Sequence, residues 1–123
     1  TGVRDTFYIE DGSGLSRYNA LSARQITKIL SFMHQSKNRE VFESSLPGAG
    51  KGTLVSFKTA DFPARTLQCK SGSMSRVRSY AGYLKCNSGR EVAFAVIVNN
   101  FSCTQADLGR KLQKLLSDFK KCL

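Results

Sequence analysis

Residues that hold structural metals are scarce in this sequence. It has a single histidine, His34, and four cysteines among 123 residues. The cysteines are Cys69, Cys86, Cys103 and Cys122, and no two of them form a C-x-x-C pair. A structural zinc site normally draws its ligands from closely spaced Cys and His. We therefore predict no metal site and no cofactor, while the even number of cysteines leaves disulfide pairing and the redox compartment open.

Long apolar runs are absent as well. No stretch approaches the roughly 20 apolar residues that a membrane-spanning helix needs. The N-terminal segment TGVRDTFYIE also lacks the apolar core of a signal peptide. Two interpretations stay open at this point: a cytoplasmic protein, or a protein whose targeting segment precedes this chain. The length of 123 residues suffices for one core, so the sequence predicts a single domain over 1–123 with no second domain.

Acidic residues are few, since 9 Asp and Glu stand against 19 Lys and Arg, which gives a net charge of +10. This charge suits an acidic partner such as nucleic acid, anionic lipid or an anionic wall polymer. The basic residues are scattered without a block of like charge, so a solvated basic surface is the simpler interpretation. Tyr80 and Tyr83 beside basic residues give weak support to nucleic-acid binding, but cross-strand packing explains them equally. We predict no nucleic-acid partner.

The first half of the chain has a mixed pattern. The stretch TFYI predicts a short strand that runs into a turn-rich segment. Ser22 and Gln25 form a capping box for a helix that ends at QSKN. Its apolar positions recur at helical spacing and are Ile26, Ile29, Leu30 and Met33. Both prolines fall between Arg39 and Arg65, where we expect a loop with little regular structure.

The second half predicts three strands and a helix. The strand segments are ARTLQCKSGSM, VRSYAGYLKC and EVAFAVIVNNF, with NSGR as a tight hairpin turn between the last two. Thr104 and Asp107 then cap a final helix. Its apolar stripe consists of Leu108, Leu112, Leu115, Leu116 and Phe119. Antiparallel strands with helices at both sequence ends indicate an α+β fold, a three-stranded sheet flanked by helices.

The stretch SLPGAGKGTL imitates a phosphate-binding loop. Such a loop needs a glycine-rich turn between a buried strand and a helix. Here Ser45 stands where the motif wants glycine, and Gly52 stands where it wants a hydroxyl. The upstream NREVFESS is at best a short polar strand, and TLVSFKTADFP downstream favours an extended segment over a helix. We therefore do not predict a nucleotide site at Lys51.

A more informative constellation is KSGSMS on the first of the three predicted strands. Lys70 supplies a positive charge, Ser71 and Ser73 supply hydroxyls, and Gly72 lacks the side chain that would keep a ligand backbone away. A strand of this kind is able to pair with an extended peptide while the lysine holds a carboxylate. The three-residue pattern alone is also common on exposed edge strands.

Three motifs in order make the pattern specific: DGSGLSRYN, then LPGAGKGTL, then KSGSMS, followed by AGYL. Together they make the chain similar to the C-terminal part of the class C low-molecular-mass penicillin-binding proteins, the D-Ala-D-Ala carboxypeptidases and endopeptidases related to penicillin-binding protein 4. The resemblance runs from about Thr6 to the last helix. It implies a partial penicillin-binding, beta-lactamase-like transpeptidase fold and a serine acyl-enzyme that acts on peptidoglycan stem peptides and beta-lactams in the periplasm or cell envelope.

The resemblance also implies roles for individual residues. Lys70, Ser71 and Gly72 match the K-[ST]-G triad, whose lysine and hydroxyl contact the substrate carboxylate. Ser73 matches the position whose backbone N–H contributes to the oxyanion hole. In some relatives, four further positions line the pocket for a substrate side chain, and these match Leu15, Arg17, Met74 and Ser75.

Two other motifs of the family are missing. The string from Ser117 to Lys120 spells S-x-x-K and the string from Ser36 to Asn38 spells S-x-N, but both stand at the wrong place in the chain order. We therefore expect this chain to lack the nucleophile and to complement an N-terminal part of the same protein. We also expect it either to self-associate or to expose an apolar patch at the strand VAFAVIV. The alternatives are a non-catalytic peptide-binding remnant or a basic interaction module. Carboxypeptidase and endopeptidase preference stay open.

Overall fold

The structure, a computed structural model, describes residues 6–123. Residues 1–5, which begin the segment considered above for a signal peptide, lie outside the described residues. The elements in chain order are helix α1 (Ala23–Gln35), helix α2 (Arg39–Ser45), a 3₁₀ turn (Gly52–Leu54), strands β1 (Leu67–Met74), β2 (Val77–Lys85) and β3 (Glu91–Asn99), and helix α3 (Gln105–Cys122).

The three strands form one antiparallel sheet in the order β1–β2–β3. Ser75 and Arg76 make the short connection between β1 and β2. The predicted hairpin turn between β2 and β3 is confirmed, because the Cys86 N–H donates to the Arg90 carbonyl at 2.7 Å and Gly89 takes a φ of 86°. The α+β class and the three strands are likewise confirmed.

One face of the sheet carries the main core. Side chains of the strands, of α3 and of the loop before β1 meet there, and the buried members are Leu54, Phe57, Phe62, Leu67, Cys69, Tyr80, Leu84, Leu108, Leu112 and Leu116. Alternate residues of a strand share a face, which explains why the buried members of β1 and β2 occur at every second position. Cys69 is fully enclosed, and burial raises the pKa of its thiol to about 12.

The other face of the sheet is covered by α1, which contacts β3 and β2. The capping box is confirmed, since the Gln25 N–H donates to Ser22 Oγ at 3.2 Å and the Ser22 N–H donates to Gln25 Oε1 at 2.8 Å. A buried hydrogen bond ties the helix to the sheet: Tyr83 on β2 donates its hydroxyl to the Leu30 carbonyl at 2.6 Å. None of the helices within residues 6–123 is both long and apolar enough to span a bilayer.

Two predictions for the first half were wrong. TFYI forms no strand, because Tyr8 makes a single bridge to Ala20 and its neighbours are exposed. The segment Arg39–Arg65 contains a helix, α2, where the polarity of NREVFESS had indicated a doubtful strand. Arg39 and Glu43 stand four residues apart and form an ion pair at 2.9 Å, which supports a short helix. This spacing was a usable signal in the sequence.

TLVSFKTADFP is also not an extended segment. It begins inside a 3₁₀ turn and continues through further turns. Leu54, Phe57 and Phe62 point into the core with exposures of 0%, 3% and 2%. These three large apolar side chains fix the loop to the core. Their spacing in the sequence matches neither the 3.6-residue period of a helix nor the two-residue period of a strand, so a periodicity analysis does not find them.

The apolar stripe of α3 is narrower than the sequence pattern indicates. Leu108, Leu112 and Leu116 are buried, whereas Leu115 is 43% exposed and Phe119 is 50% exposed. Positions four residues apart form the row that faces the sheet, and the other two lie on the flank of that row. Ile29 on α1 is another exposed member of a predicted stripe, at 51%. Both helices therefore leave apolar side chains at the surface.

Candidate active site

The strand β1 is an edge of the sheet, and its outer side is covered only at the start. There the Cys69 N–H donates to the Pro47 carbonyl at 3.1 Å. Because every second residue of a strand turns its backbone groups to the same side, Ser71 and Ser73 also direct their N–H groups outward. No backbone carbonyl within residues 6–123 accepts from these two groups. The second half of β1 is therefore an open edge.

Lys70 lies along this open edge. Its ammonium donates to the Ser71 carbonyl at 2.8 Å, and the side chain is exposed. No carboxylate in the described part of the chain forms an ion pair with it. The lysine thus presents an uncompensated positive charge beside unpaired backbone donors, which is an arrangement that suits a carboxylate at the end of an extended chain.

Gly72 has a structural reason to be glycine. It pairs with Ser79 across the sheet, and a Cβ on Gly72 would lie 2.6 Å from the Ser79 hydroxyl oxygen. The missing side chain therefore makes room for a hydroxyl of the neighbouring strand. The expectation that it also admits a ligand backbone stays a prediction.

A groove with a volume of about 1140 Å³ opens between the N-terminal loop, the start of α1 and the β1–β2 hairpin. Arg17, Met74 and Ser75 line it, and so do Ser79 and Ile97. The structure therefore gathers three of the four residues expected around a substrate side chain. Leu15 is apart from them: it does not line the groove and is 80% exposed. Lys70 and its neighbours Ser71 and Ser73 lie on the strand edge and not in the groove wall.

The DGSGLSRYN segment is folded by its own polar side chains. Asn19 accepts from the Glu10 N–H at 2.7 Å and donates to Asp11 Oδ1 at 2.7 Å. Ser13 donates its hydroxyl to Asp11 Oδ2 at 2.6 Å. These hydrogen bonds, from Ser13 first and then from Asn19, lower the pKa of the Asp11 carboxyl. The loop that results brings Arg17 to the groove, where no carboxylate of residues 6–123 pairs with it.

The LPGAGKGTL segment buttresses β1 and does not have the architecture of a phosphate loop. The Gly50 N–H donates to the Leu54 carbonyl at 3.0 Å, and Gly50 has a φ of 77°. A three-residue 3₁₀ turn follows in place of a long helix. The Leu54 side chain is fully buried in the core. Gly48 forms an isolated antiparallel bridge with Gln68 on β1. The loop therefore fixes the covered half of the β1 edge.

The S-x-x-K string at Ser117 and the S-x-N string at Ser36 make hydrogen bonds and contacts within their own surroundings. Ser117 is buried, while Lys120 donates to the Asp61 carbonyl at 2.6 Å and lies 5.9 Å from the Phe62 ring centre. Ser36 closes α1, since its N–H and its hydroxyl both donate to the Met33 carbonyl, at 3.1 Å and 2.8 Å. The Lys120 ammonium and the Ser36 hydroxyl are thus engaged with backbone carbonyls.

One cluster has the donor types of a metal site. The ligand atoms of His34, Glu43 and Glu91 lie within 4.8 Å of one another. Arg39, however, donates to Glu43 at 2.9 Å and to Glu91 at 3.1 Å. The guanidinium already compensates both carboxylates, so the cluster is an ion-pair network that ties α1, α2 and β3 together. This network lies beside Tyr83, near the end of β2 that is farther from the groove.

The sequence pattern missed several groove residues. Ser79 and Ile97 stand on β2 and β3 and enter the groove only because the strands pair in this register. The place of Ser79 could have been predicted, since a two-residue turn after Met74 sets the register that pairs Ser79 with Gly72. Asn19 is part of the DGSGLSRYN motif, but its role in folding the loop follows only from the three-dimensional contacts.

Comparison with known proteins places these features in a family. A model of the D-Ala-D-Ala carboxypeptidase 3 (S13) family matches residues 2–121. The chain is 31% identical over 100 residues to a D-alanyl-D-alanine carboxypeptidase of Actinomadura sp. strain R39, an alignment that covers 76% of this chain and 18% of that protein. It is 28% identical over 97 residues to the D-alanyl-D-alanine carboxypeptidase DacB of Haemophilus influenzae, which covers 76% of this chain and 20% of the relative. The chain thus spans about a fifth of the length of these relatives.

Solved structures show the same fold. Penicillin binding protein 4 of Haemophilus influenzae superimposes with a TM-score of 0.82 at 24% identity, over 95% of this chain and 28% of that one. A second structure of that protein, complexed with a novel beta-lactam, gives a TM-score of 0.75 at 25% identity, over 90% of this chain and 28% of the other. These likenesses confirm the expected partial penicillin-binding-protein fold. Because the family model matches nearly the whole length, the chain belongs to the D-Ala-D-Ala carboxypeptidase 3 (S13) family.

Proposed function

We propose that the protein containing this chain is a serine-type D-Ala-D-Ala carboxypeptidase or endopeptidase that acts on peptidoglycan stem peptides. Residues 1–123 form the C-terminal portion of its peptidase domain and supply the K-S-G strand. The observation that carries the proposal is the open edge of β1 with Lys70 beside it, next to a groove lined by Arg17, Met74 and Ser75.

The substrate is expected to pair with the open half of β1 as an additional strand. Main-chain hydrogen bonds of this kind give affinity without depending on side chains. The outward N–H of Ser73 is a donor for the carbonyl oxygen at which negative charge develops during acyl transfer. A preorganised donor at that position typically contributes a factor of about 10² to 10³ in rate.

Lys70 and Ser71 hold the terminal carboxylate of the substrate. The ammonium is exposed and lacks a carboxylate partner among the described residues, so it needs no ion pair to be broken before binding. The Ser71 hydroxyl supplies a further donor on the same strand. This pair also suits the carboxylate of a beta-lactam, which makes beta-lactams the second class of ligand.

The side chain that precedes the D-Ala residues is expected to enter the groove. Arg17 is the cation there, and Met74 with Ile97 gives the wall an apolar part. Leu15, being largely exposed, would contact only a substrate group that extends out of the groove.

We expect the nucleophilic serine and its lysine to come from another part of the protein, because the S-x-x-K string at Ser117 follows the K-S-G strand in the chain order and its Lys120 is bonded to the Asp61 carbonyl. We expect the protein in the periplasm or the cell envelope of a bacterium, where such substrates occur. Anionic wall polymers are also compatible with the net charge of +10.

The test is covalent labelling by a fluorescent penicillin, carried out on the protein made from the complete reading frame. We expect labelling of the full protein, no labelling of residues 1–123 alone, and a rate of acylation at least about tenfold lower in Lys70→Ala. Lys111→Ala, which removes an exposed lysine of α3, is the matched control and should label normally. Absence of labelling in the full protein contradicts the proposal.

A peptide-binding remnant without chemistry is the second candidate, and it rests on the same open edge. It predicts saturable binding of an acyl-D-Ala-D-Ala peptide to residues 1–123, lost in Lys70→Ala, together with an unreactive full protein. Intact mass spectrometry after incubation with penicillin distinguishes the two, because only the enzyme acquires the mass of the acyl group.

A further inference from the structure

The hairpin that forms one wall of the groove is held from two sides at its tip. Gln105, the first residue of α3, donates its side-chain amide to the Met74 carbonyl at 3.1 Å. On the other side of the turn, the Asn100 N–H donates to the Arg76 carbonyl at 2.7 Å. The donors of both hydrogen bonds, Asn100 and Gln105, follow β3 in the chain and are therefore distant in sequence from β1.

The turn itself is not a strongly preferred one. Arg76 adopts a φ of 59°, in the left-handed region that favours glycine. A residue with a side chain keeps this conformation only where the surrounding structure holds it. The contacts made by neighbouring elements therefore select the conformation, and with it the positions of Met74 and Ser75 in the groove.

The Gln105 side chain makes one hydrogen bond and leaves one atom unpaired within residues 6–123. Its Oε1 atom is buried and has no hydrogen-bond partner within residues 6–123. An apolar side chain of similar size would leave no unsatisfied acceptor at this position. The single side-chain bond that the structure gives this residue is the one to Met74. What a glutamine adds over an apolar residue of similar size is this bond to the hairpin.

We propose that Gln105 is a positioning residue for substrate selection: by its bond to the Met74 carbonyl it holds the β1–β2 hairpin in the conformation that places Met74 and Ser75 in the groove. The inference rests on the proposed function, since it assigns to the groove the task of reading the peptide. The backbone of β1 up to Met74 is fixed by pairing with β2 and by the buttress at Cys69, so the bond from Gln105 acts on the end of the ladder and on the turn at Ser75 and Arg76. We therefore expect the effect of Gln105 at Met74 and Ser75, which line the groove.

The experiment uses the full-length protein with Gln105→Leu, which removes the amide at nearly the same volume. Gln113→Leu is the matched control, because Gln113 on the same helix donates its amide to the Ser56 carbonyl at 3.0 Å, away from the groove. Three quantities are compared: the rate of acylation by penicillin, kcat and KM for an acyl-D-Ala-D-Ala stem peptide, and Tm.

We expect Gln105→Leu to raise KM for the stem peptide about fivefold to tenfold with kcat changed less than about twofold. Acylation by penicillin should stay within about twofold of the wild type, because a beta-lactam engages the strand edge up to Ser73 and has no stem side chain for the groove. Gln113→Leu should change none of these kinetic values. Gln105→Met serves as a second variant if the leucine variant does not fold.

The outcomes separate the two proposals. If the wild type neither labels nor hydrolyses the peptide, the proposed function itself fails. If the wild type is active but Gln105→Leu or Gln105→Met has the same KM as the control, the positioning role is overturned. An equal loss of acylation and of peptide turnover also overturns it, since that pattern indicates a general disturbance of β1.

Discussion

Gly82 on β2 and Gln68 on β1 approach each other so closely that a Cβ on Gly82 would lie 2.1 Å from the Gln68 carbonyl oxygen. The same Cβ would be 2.5 Å from the Cα of Cys69. Both neighbouring atoms are backbone, so no rotation of a side chain relieves the contact. The position of β1, and with it of Lys70, depends on the absence of a side chain at residue 82.

Gly82→Ala is therefore expected to displace β1 and to lower the free energy of unfolding by about 1–3 kcal/mol, as overpacking typically does. Urea unfolding followed by circular dichroism measures the change. Gly12→Ala is the control, because nothing lies within 4 Å of a Cβ there, and it should change stability by less than about 0.5 kcal/mol. Equal stability of the two variants would refute the steric argument.

The cysteines should differ widely in reactivity. Cys69 is 0% exposed, and desolvation raises the pKa of its thiol to about 12, while Cys122 is exposed. Since the thiolate is the reacting form, we expect an aromatic disulfide reagent at pH 8 to modify Cys122 at once and Cys69 only after unfolding. Peptide mapping of the labelled protein identifies the sites. Rapid modification of Cys69 in the folded protein would show that the core is more open than the structure has it.

The Asp11 loop should respond to acid. The pKa of Asp11 lies below its usual value because Ser13 and Asn19 donate to the carboxylate. A lowered pKa means that the carboxylate stabilises the folded loop above its ordinary pKa near 4, and that this contribution disappears as the pH falls through the lower pKa of the folded state.

Asn19→Ala removes donors and acceptors that hold this loop, so we expect faster limited proteolysis between residues 11 and 19 at neutral pH. Glu10→Gln is a suitable control, because the backbone N–H of Glu10 is the group that bonds to Asn19. In the wild type the same cleavage should accelerate on acidification below about pH 4, provided an acid-stable protease is used. A cleavage rate that does not change with either perturbation argues against the hydrogen-bonded loop.

Self-association of residues 1–123 remains a prediction. β3 is the second edge of the sheet, and Val92 to Val98 are half-buried, with no strand of the described residues on their outer side. A long apolar edge strand of this kind tends to pair with another chain. Sedimentation velocity should show a weight-average mass that rises with protein concentration. A concentration-independent monomer would disprove this prediction.

Local signals in the sequence were sufficient wherever a structure depends on neighbouring residues. The Ser22 capping box, the Thr104 cap, the glycine hairpin and the three strands all follow from short-range patterns, and the structure has each of them. The failures occur where tertiary contacts dominate. Helix α2 is short and depends on its ion pairs and on α1, and the loop at Phe57 depends on the core that its side chains enter.

The sequence by itself determined the family, the α+β class and the strand that carries KSGSM, because motifs and periodicity are properties of the chain order. The resemblance indicated one pocket for Leu15, Arg17, Met74 and Ser75, but only the tertiary structure decided that Leu15 stands apart from the other three and that Gln105 reaches the hairpin from α3. The physical reason is that these relationships depend on strand register, on loop geometry and on packing between distant segments. Residues far apart in the chain become neighbours only when the core that joins them has formed.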